Sequence, residues 1–316
     1  MKLLVTGGSG MVGQALQNSN CEAIYLSSSD CDLRNLKDAC DIISDYKPTH
    51  VLHLAARVGG VQANADYLGD FYFDNILINT NTLEACKRNN VKKVLSMLST
   101  CIFPDVIKYP LTEKQMHSGP PHPSNFAYAY VKRMLDVQSR AYRKQYGCNF
   151  ITAIPNNLYG ENDNFDLEQS HVIPAIIRKI HEAKLLGQEV VLWGDGSPLR
   201  EFTYSKDLAR TLLFLLDNYN EKDPINIGSS EEISIKSVAE IIAKEMKFEG
   251  KIIWDITKPA GQFKKPSDKN KIESLGWSQK NYTNLDQGIK DTCKWFLDNY
   301  PNIRGIELIN EKGEIK

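Results

Sequence analysis

The chain has 316 residues, 42% of them hydrophobic and 24% charged, with Gly 20 and Pro 13. That composition excludes a disordered, collagen-like or disulfide-scaffold protein, and the length suffices for one large α/β domain or two interleaved lobes. Lys+Arg 38 against Asp+Glu 39 leave a formal net charge of −1, so no global field draws nucleic acid or an anionic membrane, and neither is expected as a partner.

In chain order, residues 2–6 (Lys-Leu-Leu-Val-Thr) form a short predicted strand that runs straight into Gly7-Gly8-Ser9-Gly10-Met11-Val12-Gly13, with helix-like residues 14–17 behind it. A second strand, 22–26, stops at Ser27-Ser28-Ser29-Asp30. Residues 35–45 have helical spacing, and His50-Val51-Leu52-His53-Leu54-Ala55-Ala56 reads as a buried strand ending in small residues. Residues 71–89 place Phe73, Ile76, Leu77, Thr80 and Leu83 on one helical stripe, and 93–99 is the next strand. Strict alternation of strand and helix argues a parallel sheet with right-handed crossovers. After about residue 160 the rhythm changes. A long helix over 172–186, a strand over 190–193, a turn at 194–198 and a strand at 225–228 follow, then a helix with Ser234 as N-cap. Residues 258–270 read as polar loop, and no repeat or linker separates the second lobe from the first.

Gly7, Gly10 and Gly13 sit between a strand and a helix, the context in which such spacing carries meaning. The first glycine lets the chain turn, the second lets backbone approach a pyrophosphate, and the third lets helix and strand pack closely. Helix N-terminal amides then face the phosphates. The fold expected is a Rossmann-type doubly wound parallel sheet with a smaller, interleaved α/β substrate lobe. Cofactor choice is read at the end of the second strand, where an acid favours the ribose diol of NAD. Ser27, Ser28 and Ser29 stand there instead, with Asp30 the nearest acid and no Arg or Lys beside them, so the sequence leans to NADP(H). The alternative is a serine-rich turn with no ligand role. Asp32-Leu33 contacts the adenine edge or simply opens a helix.

Tyr128 and Lys132 fall at i and i+4 in a helical stretch, on one face and one turn apart. A nearby ammonium favours phenolate, which would let Tyr128 pass a proton to a developing alkoxide near neutrality, and Lys132 can also bind ribose hydroxyls. Tyr130 is two residues off that spacing. Ser99 stands at a strand end.

At this point the chain resembles the extended short-chain dehydrogenase/reductase family and, within it, the GDP-L-fucose synthases. The resemblance is carried by residues 5–10, His53-Leu54-Ala55-Ala56-Arg57-Val58-Gly59-Gly60, Leu98-Ser99-Thr100-Cys101-Ile102-Phe103-Pro104, Ser124-Asn125-Phe126-Ala127-Tyr128, Asp163-Asn164-Phe165, Ser170-His171-Val172-Ile173-Pro174 and Gly261-Gln262-Phe263-Lys264-Lys265. It implies 3,5-epimerisation and 4-reduction of GDP-4-keto-6-deoxy-D-mannose with NADPH. Ser99 would polarise the carbonyl, Tyr128 donate the proton and Lys132 hold the nicotinamide ribose, while Cys101 and His171 serve epimerisation. Around the cofactor it implies Gly7, Gly8, Ser9, Gly10, Met11, Val12, Gly13, Ser28, Asp32, Leu33, Ala55 and Ala56. Pro155, Asn156, Asn157, Leu158 and His171 complete that set. Asn157, Lys179, Trp193 and Arg200 would bind the nucleotide sugar. The division implied is a cofactor domain over 1–160 with return of about 201–245, and a substrate lobe over 161–200 and 246–316. A homodimer through the helices bearing residues 73–89 and 127–146 is expected by the same analogy.

Three positions depart from the pattern. Ala260 replaces an expected substrate-contacting aspartate, Lys179 stands where arginine is common, and Glu161 stands where proline is usual. The first keeps a second activity open, a C4-reductase on a related GDP-4-keto-6-deoxy sugar such as a heptose. No run approaches the ~18 apolar residues of a membrane span. The seven cysteines form no Cys-x-x-Cys pair, so they read as free thiols of a reducing compartment, the cytoplasm. His50, His53, His117, His122 and His181 show no ligand spacing and read as structural, and no metal is expected.

Overall fold

The computed structural model describes residues 1–60, 63, 66–258 and 263–306. A six-stranded sheet forms the first layer, with β1 (Leu3–Thr6), β2 (Ile24–Leu26), β3 (His50–His53), β4 (Lys93–Met97), β5 (Phe150–Pro155) and β9 (Ile225–Ile227). Its order is β2-β1-β3-β4-β5-β9, and every pairing is parallel. Alternating side chains feed the two faces. Leu3 and Val5 pack under α1 (Met11–Asn18) and α6 (Ser205–Asn218), while Leu4 and Val51 pack against α2 (Leu36–Tyr46), α3 (Leu68–Arg88) and α4 (Phe126–Tyr146). Strand order reverses between β1 and β3, so the crevice at their C-terminal ends is where a ligand belongs.

The second lobe holds β7 (Val190–Trp193) paired parallel with β11 (Ile252–Asp255). It also holds β8 (Leu199–Tyr204) between β6 (Asn157–Tyr159) and β10 (Glu232–Ser234). Its core joins α5 (Val172–Leu186), α7 (Ile235–Glu245) and α9 (Leu285–Asn299) through Ile176, Ile180, Val238, Ile242, Ile289 and Phe296. Ser234 caps α7 as its sequence position predicts, accepting from Ser237 N at 3.0 Å.

The packing differs from the expected division. Within 201–245 only α6 and β9 join the sheet; β8, β10 and α7 pack in the second lobe. Conversely α8 (Asn270–Ser274) returns to the sheet side, where Ile272 packs with Leu212 and Ile227. The reason is the apolar stripe of α7: Val238, Ala239 and Ile242 face α5 and α9. Among the described residues no helix is long and apolar enough to cross a membrane.

Candidate active site

A cleft of about 1600 Å³ runs from the glycine loop, past the ends of β4 and β5, to the edge of the second lobe. It exceeds the ~300–1,000 Å³ of a single small-molecule pocket, so two extended ligands can meet in it.

At one end, Gly7 takes φ +73, and a Cβ there would stand 2.8 Å from Ala55 N. A Cβ on Gly13 would stand 2.6 Å from the Gly7 carbonyl oxygen. Both approaches are backbone on backbone, so only glycine fits either position. Gly10 is the N-cap of α1 and brings no side-chain cap, which leaves first-turn N–H groups for an anion. Gly7, Ser9, Gly10, Met11, Val12 and Gly13 line the cleft, as do Ala55 and Ala56. Gly8 does not: it packs against Tyr25 and donates its N–H to Leu26 O at 2.7 Å. This loop fits a dinucleotide pyrophosphate.

Ser28, Asp32 and Leu33 line the cleft beyond β2. Asp30 is spent locally, accepting from Ser27 N at 2.8 Å and Ser27 Oγ at 2.6 Å, and those bonds hold its carboxyl below the usual range. The expectation that no cation stands nearby fails. Arg34 lines the cleft, gripping Asp32 with Nε and Nη2 at 2.9 Å each and Asp74 with Nη1 at 3.0 Å. Arg57 reaches the same Asp74 at 2.8 Å. Arg34 lies just past the serines in sequence and was readable there; Arg57 arrives from the loop after β3.

Ser99 follows β4 in extended conformation and caps a single 3₁₀ turn, Thr100–Ile102, with its Oγ 3.5 Å from Cys101 N. Tyr128 and Lys132 extend from α4 into the same part of the cleft, with Lys132 Nζ 5.7 Å from the Tyr128 ring centroid. Tyr130 turns outward under Arg133, as its spacing predicts. The expected acidification of Tyr128 is absent: burial, then Cys101, pushes its pKa up. Lys132 donates to Met97 O at 2.8 Å, and burial lowers its own pKa to about 8, so its charge does not outweigh the dry surroundings of the phenol.

His171 is the N-cap of α5 and lines the cleft, where the surrounding protein lowers its imidazole pKa. Cys101, half-buried, stands beside the wall residues Ser99, Lys132 and Lys265. Burial raises its thiol pKa, while Ser99, Lys265 and Lys132 oppose that shift. Pro155, Asn156, Asn157 and Leu158 line the floor, and Trp193 and Arg200 the far end. Lys179 stays outside the lining: its Nζ donates to Val191 O at 3.0 Å and lies 6.0 Å from the Trp193 ring centroid. Ala260 lies outside the described residues.

Several wall residues carried no assigned role in the sequence. Lys265 ends one of the resemblance segments, and burial lowers its pKa. Lys258 stands 5.6 Å from the Trp193 ring. His122, expected as structural, is in the wall and takes Ser124 N at 3.1 Å. Asp163 is buried, which pushes its carboxyl up to about 7 against the smaller opposing pull of the Asn164 N–H and then of Arg304, from beyond α9. By contrast His53 is structural. It sits between Thr6 Oγ1 at 2.8 Å and Asn79 Oδ1 at 3.0 Å, with burial lowering its pKa to about 4.

A model of the NAD dependent epimerase/dehydratase family matches residues 3–228. The chain belongs to that family. Within it, the chain is 46% identical over 311 residues to a GDP-L-fucose synthase of Dictyostelium discoideum, covering 96% of this chain and 97% of that one. Its structure is similar to that of a GDP-L-fucose synthetase from Naegleria fowleri bound to NADP, with a TM-score of 0.90 and 42% identity over 96% and 94% of the two chains. It is also similar to a GDP-6-OMe-4-keto-L-xylo-heptose reductase from C. jejuni, with a TM-score of 0.88 and 29% identity over 94% and 98%. Epimerase/dehydratase chemistry is thus set on the sheet described above.

Proposed function

We propose that this protein converts GDP-4-keto-6-deoxy-D-mannose to GDP-L-fucose, epimerising C3 and C5 and then reducing C4 with NADPH. The observation that carries this is the meeting of the glycine cradle, Ser99, Tyr128, Lys132 and His171 in one cleft large enough for both ligands. Likeness over nearly the whole chain to GDP-L-fucose synthases supports the choice of sugar.

NADPH, when bound, supplies the hydride. Gly7, Ser9, Gly10, Gly13 and the α1 N-terminus would hold its pyrophosphate, and Pro155–Leu158 and Lys132 would hold its nicotinamide riboside. Ser99 Oγ polarises the C4 carbonyl, and the proton on Tyr128, kept in place at neutral pH by burial, passes to the C4 oxygen. Epimerisation needs a proton removed beside the ketone on one face and returned on the other. Cys101 and His171 come from different lobes, and burial favours the neutral thiol of the one and the neutral imidazole of the other, a proton donor and a proton acceptor for this exchange. Trp193 offers an aromatic face to the base, and Arg200 a planar fork to the diphosphate.

A second reading, C4 reduction of a related GDP-keto sugar with little epimerisation, is favoured by the burial that raises the Cys101 thiol's pKa and so works against a thiolate base and by the likeness to a heptose reductase. One experiment separates them: product identification by NMR in D₂O with GDP-4-keto-6-deoxy-D-mannose and NADPH. GDP-L-fucose with deuterium at C3 and C5 is expected, and Cys101→Ala should reduce the ketone without exchange. Wild-type reduction without exchange promotes the second reading.

The enzyme acts as a homodimer. Phe73, Tyr130, Met134 and Val137 on the packed pair α3 and α4 are exposed apolar groups suited to a four-helix interface. Its compartment is the reducing cytoplasm, in keeping with seven unpaired thiols.

A further inference from the structure

Below the floor of the cleft, three distant segments meet at one carboxylate. Glu201, on β8, is 3% exposed. Its Oε2 accepts from Ser267 Oγ at 2.7 Å and from Asn156 Nδ2 at 3.3 Å, and lies 3.4 Å from Lys269 Nζ. Lys269, itself buried, also donates to Ser267 Oγ and to Ile227 O. Asn156 completes its bonding with Ser229 O at 2.7 Å and with Thr203 Oγ1, which donates to its Oδ1 at 2.5 Å. The main-chain oxygen of Glu201 accepts from Asn157 Nδ2 at 2.9 Å. Arg200, the preceding residue, lines the cleft, as do Asn156 and Asn157.

Replacing a buried ion pair with apolar groups of similar volume is often neutral or stabilising, so stability alone gives no reason for Glu201 and Lys269 to be charged. What they do provide is direction. The two asparagine side chains are bound through the carboxylate and the carbonyl of one residue, whose neighbour is the arginine at the other end of the cleft. We propose that Glu201, held by Lys269 and Ser267, is a positioning residue that fixes Arg200 and Asn157 relative to each other, so that the nucleotide sugar is bound in register with the floor of the site. The inference rests on reading the cleft as a nucleotide-sugar site.

The test uses the full chain as wild type, as Glu201→Gln/Lys269→Met and as Ser267→Ala. Affinity for GDP and for NADP⁺ is measured by calorimetry, beside kcat and KM for the keto sugar and the melting temperature. The double variant should melt within a few degrees of wild type. Its GDP affinity should fall ~10-fold and its KM rise by a similar factor, the scale of one lost charge-assisted hydrogen bond. NADP⁺, held mainly by the glycine cradle, should bind within about threefold of wild type. Ser267→Ala keeps both charges and should show a smaller loss in the same direction. A folded double variant with wild-type GDP affinity and KM overturns the proposal. If the double variant does not fold, the same result in Ser267→Ala overturns it. Wild-type protein that binds no GDP removes the nucleotide-sugar reading and the inference with it; wild-type binding with unaffected variants removes the inference alone.

Discussion

The two ends of the cleft are built differently. At the glycine loop the wall is backbone, with close approaches at Gly7 and Gly13 and an uncapped helix start. At the far end it is made of side chains delivered by distant segments, with Trp193 on β7, Arg200 on β8 and Lys265 beyond β11. A backbone site tolerates no added atom, whereas a side-chain site can be retuned one residue at a time. Tyr128 and Lys132 lie between, placed by α4, with burial raising the pKa of the phenol and lowering that of the amine.

The largest effect should come from that middle ground. Tyr128→Phe keeps the ring and removes the proton, so reduction should slow by roughly 10²–10⁴ while NADP⁺ affinity stays put. Tyr130→Phe, on the outer face, should reduce at the wild-type rate; the reverse pattern in stopped-flow NADPH oxidation would reassign the donor. The backbone end is tested by Gly13→Ala. Its Cβ would press on the carbonyl oxygens of Gly7 and Gly8, and overpacking of ~1–3 kcal/mol should weaken NADP⁺ binding by about 10–100-fold. Equal affinity in calorimetry would mean the loop adapts like a side-chain site.

A third test concerns ionisation. Lys132 has its pKa lowered to about 8 by burial, so between that value and the ordinary lysine range the unfolded chain binds the extra proton. Stability therefore rises with pH across that window, and the cost of burying the ammonium is present in full below it. Lys132→Met should remove this rise, on the order of 1–3 kcal/mol between pH 7.5 and 9.5 relative to wild type. Parallel pH profiles in urea melts would show that the amine is solvated. The smallest effect belongs to Ser28. An acid at that place favours a ribose diol over a 2′-phosphate, so Ser28→Asp should cost several-fold to about 10-fold in kcat/KM for NADPH with little change for NADH. A wild-type preference for NADH would undo the premise.

Much of this was legible in the chain because it depends on local pattern. Five of the sheet's six strands (all but β5), the glycine turn, the 172–186 helix and the Tyr128–Lys132 face follow from spacing over a few residues. What spacing does not carry is which lobe a helix joins: α7 has an apolar stripe that suits either partner, and only the packing against α5 and α9 decides it. Nor does it carry protonation. A lysine one turn from a tyrosine reads as an acidifying neighbour, yet Lys132 points to the Met97 carbonyl and burial governs both groups. Arg304 and Asp163 both reach the wall, brought near each other as Phe165 N donates to Arg304 O, a contact for which no local signal exists.

The sixth strand of the sheet has a consequence for how such enzymes can be rebuilt. β9 enters beside β5 only after the chain has passed through β7 and β8 of the other lobe, and residues 270–277 come back again to pack beneath it. Neither lobe is a contiguous cassette. Cutting at residue 160 would strip the sheet of an edge strand and two covering helices, so a fragment exchange of the kind that transplants a substrate module onto a new cofactor unit would have to respect at least two re-entries of the chain. In this architecture new specificity is reached by substitution within the cleft, not by shuffling its halves.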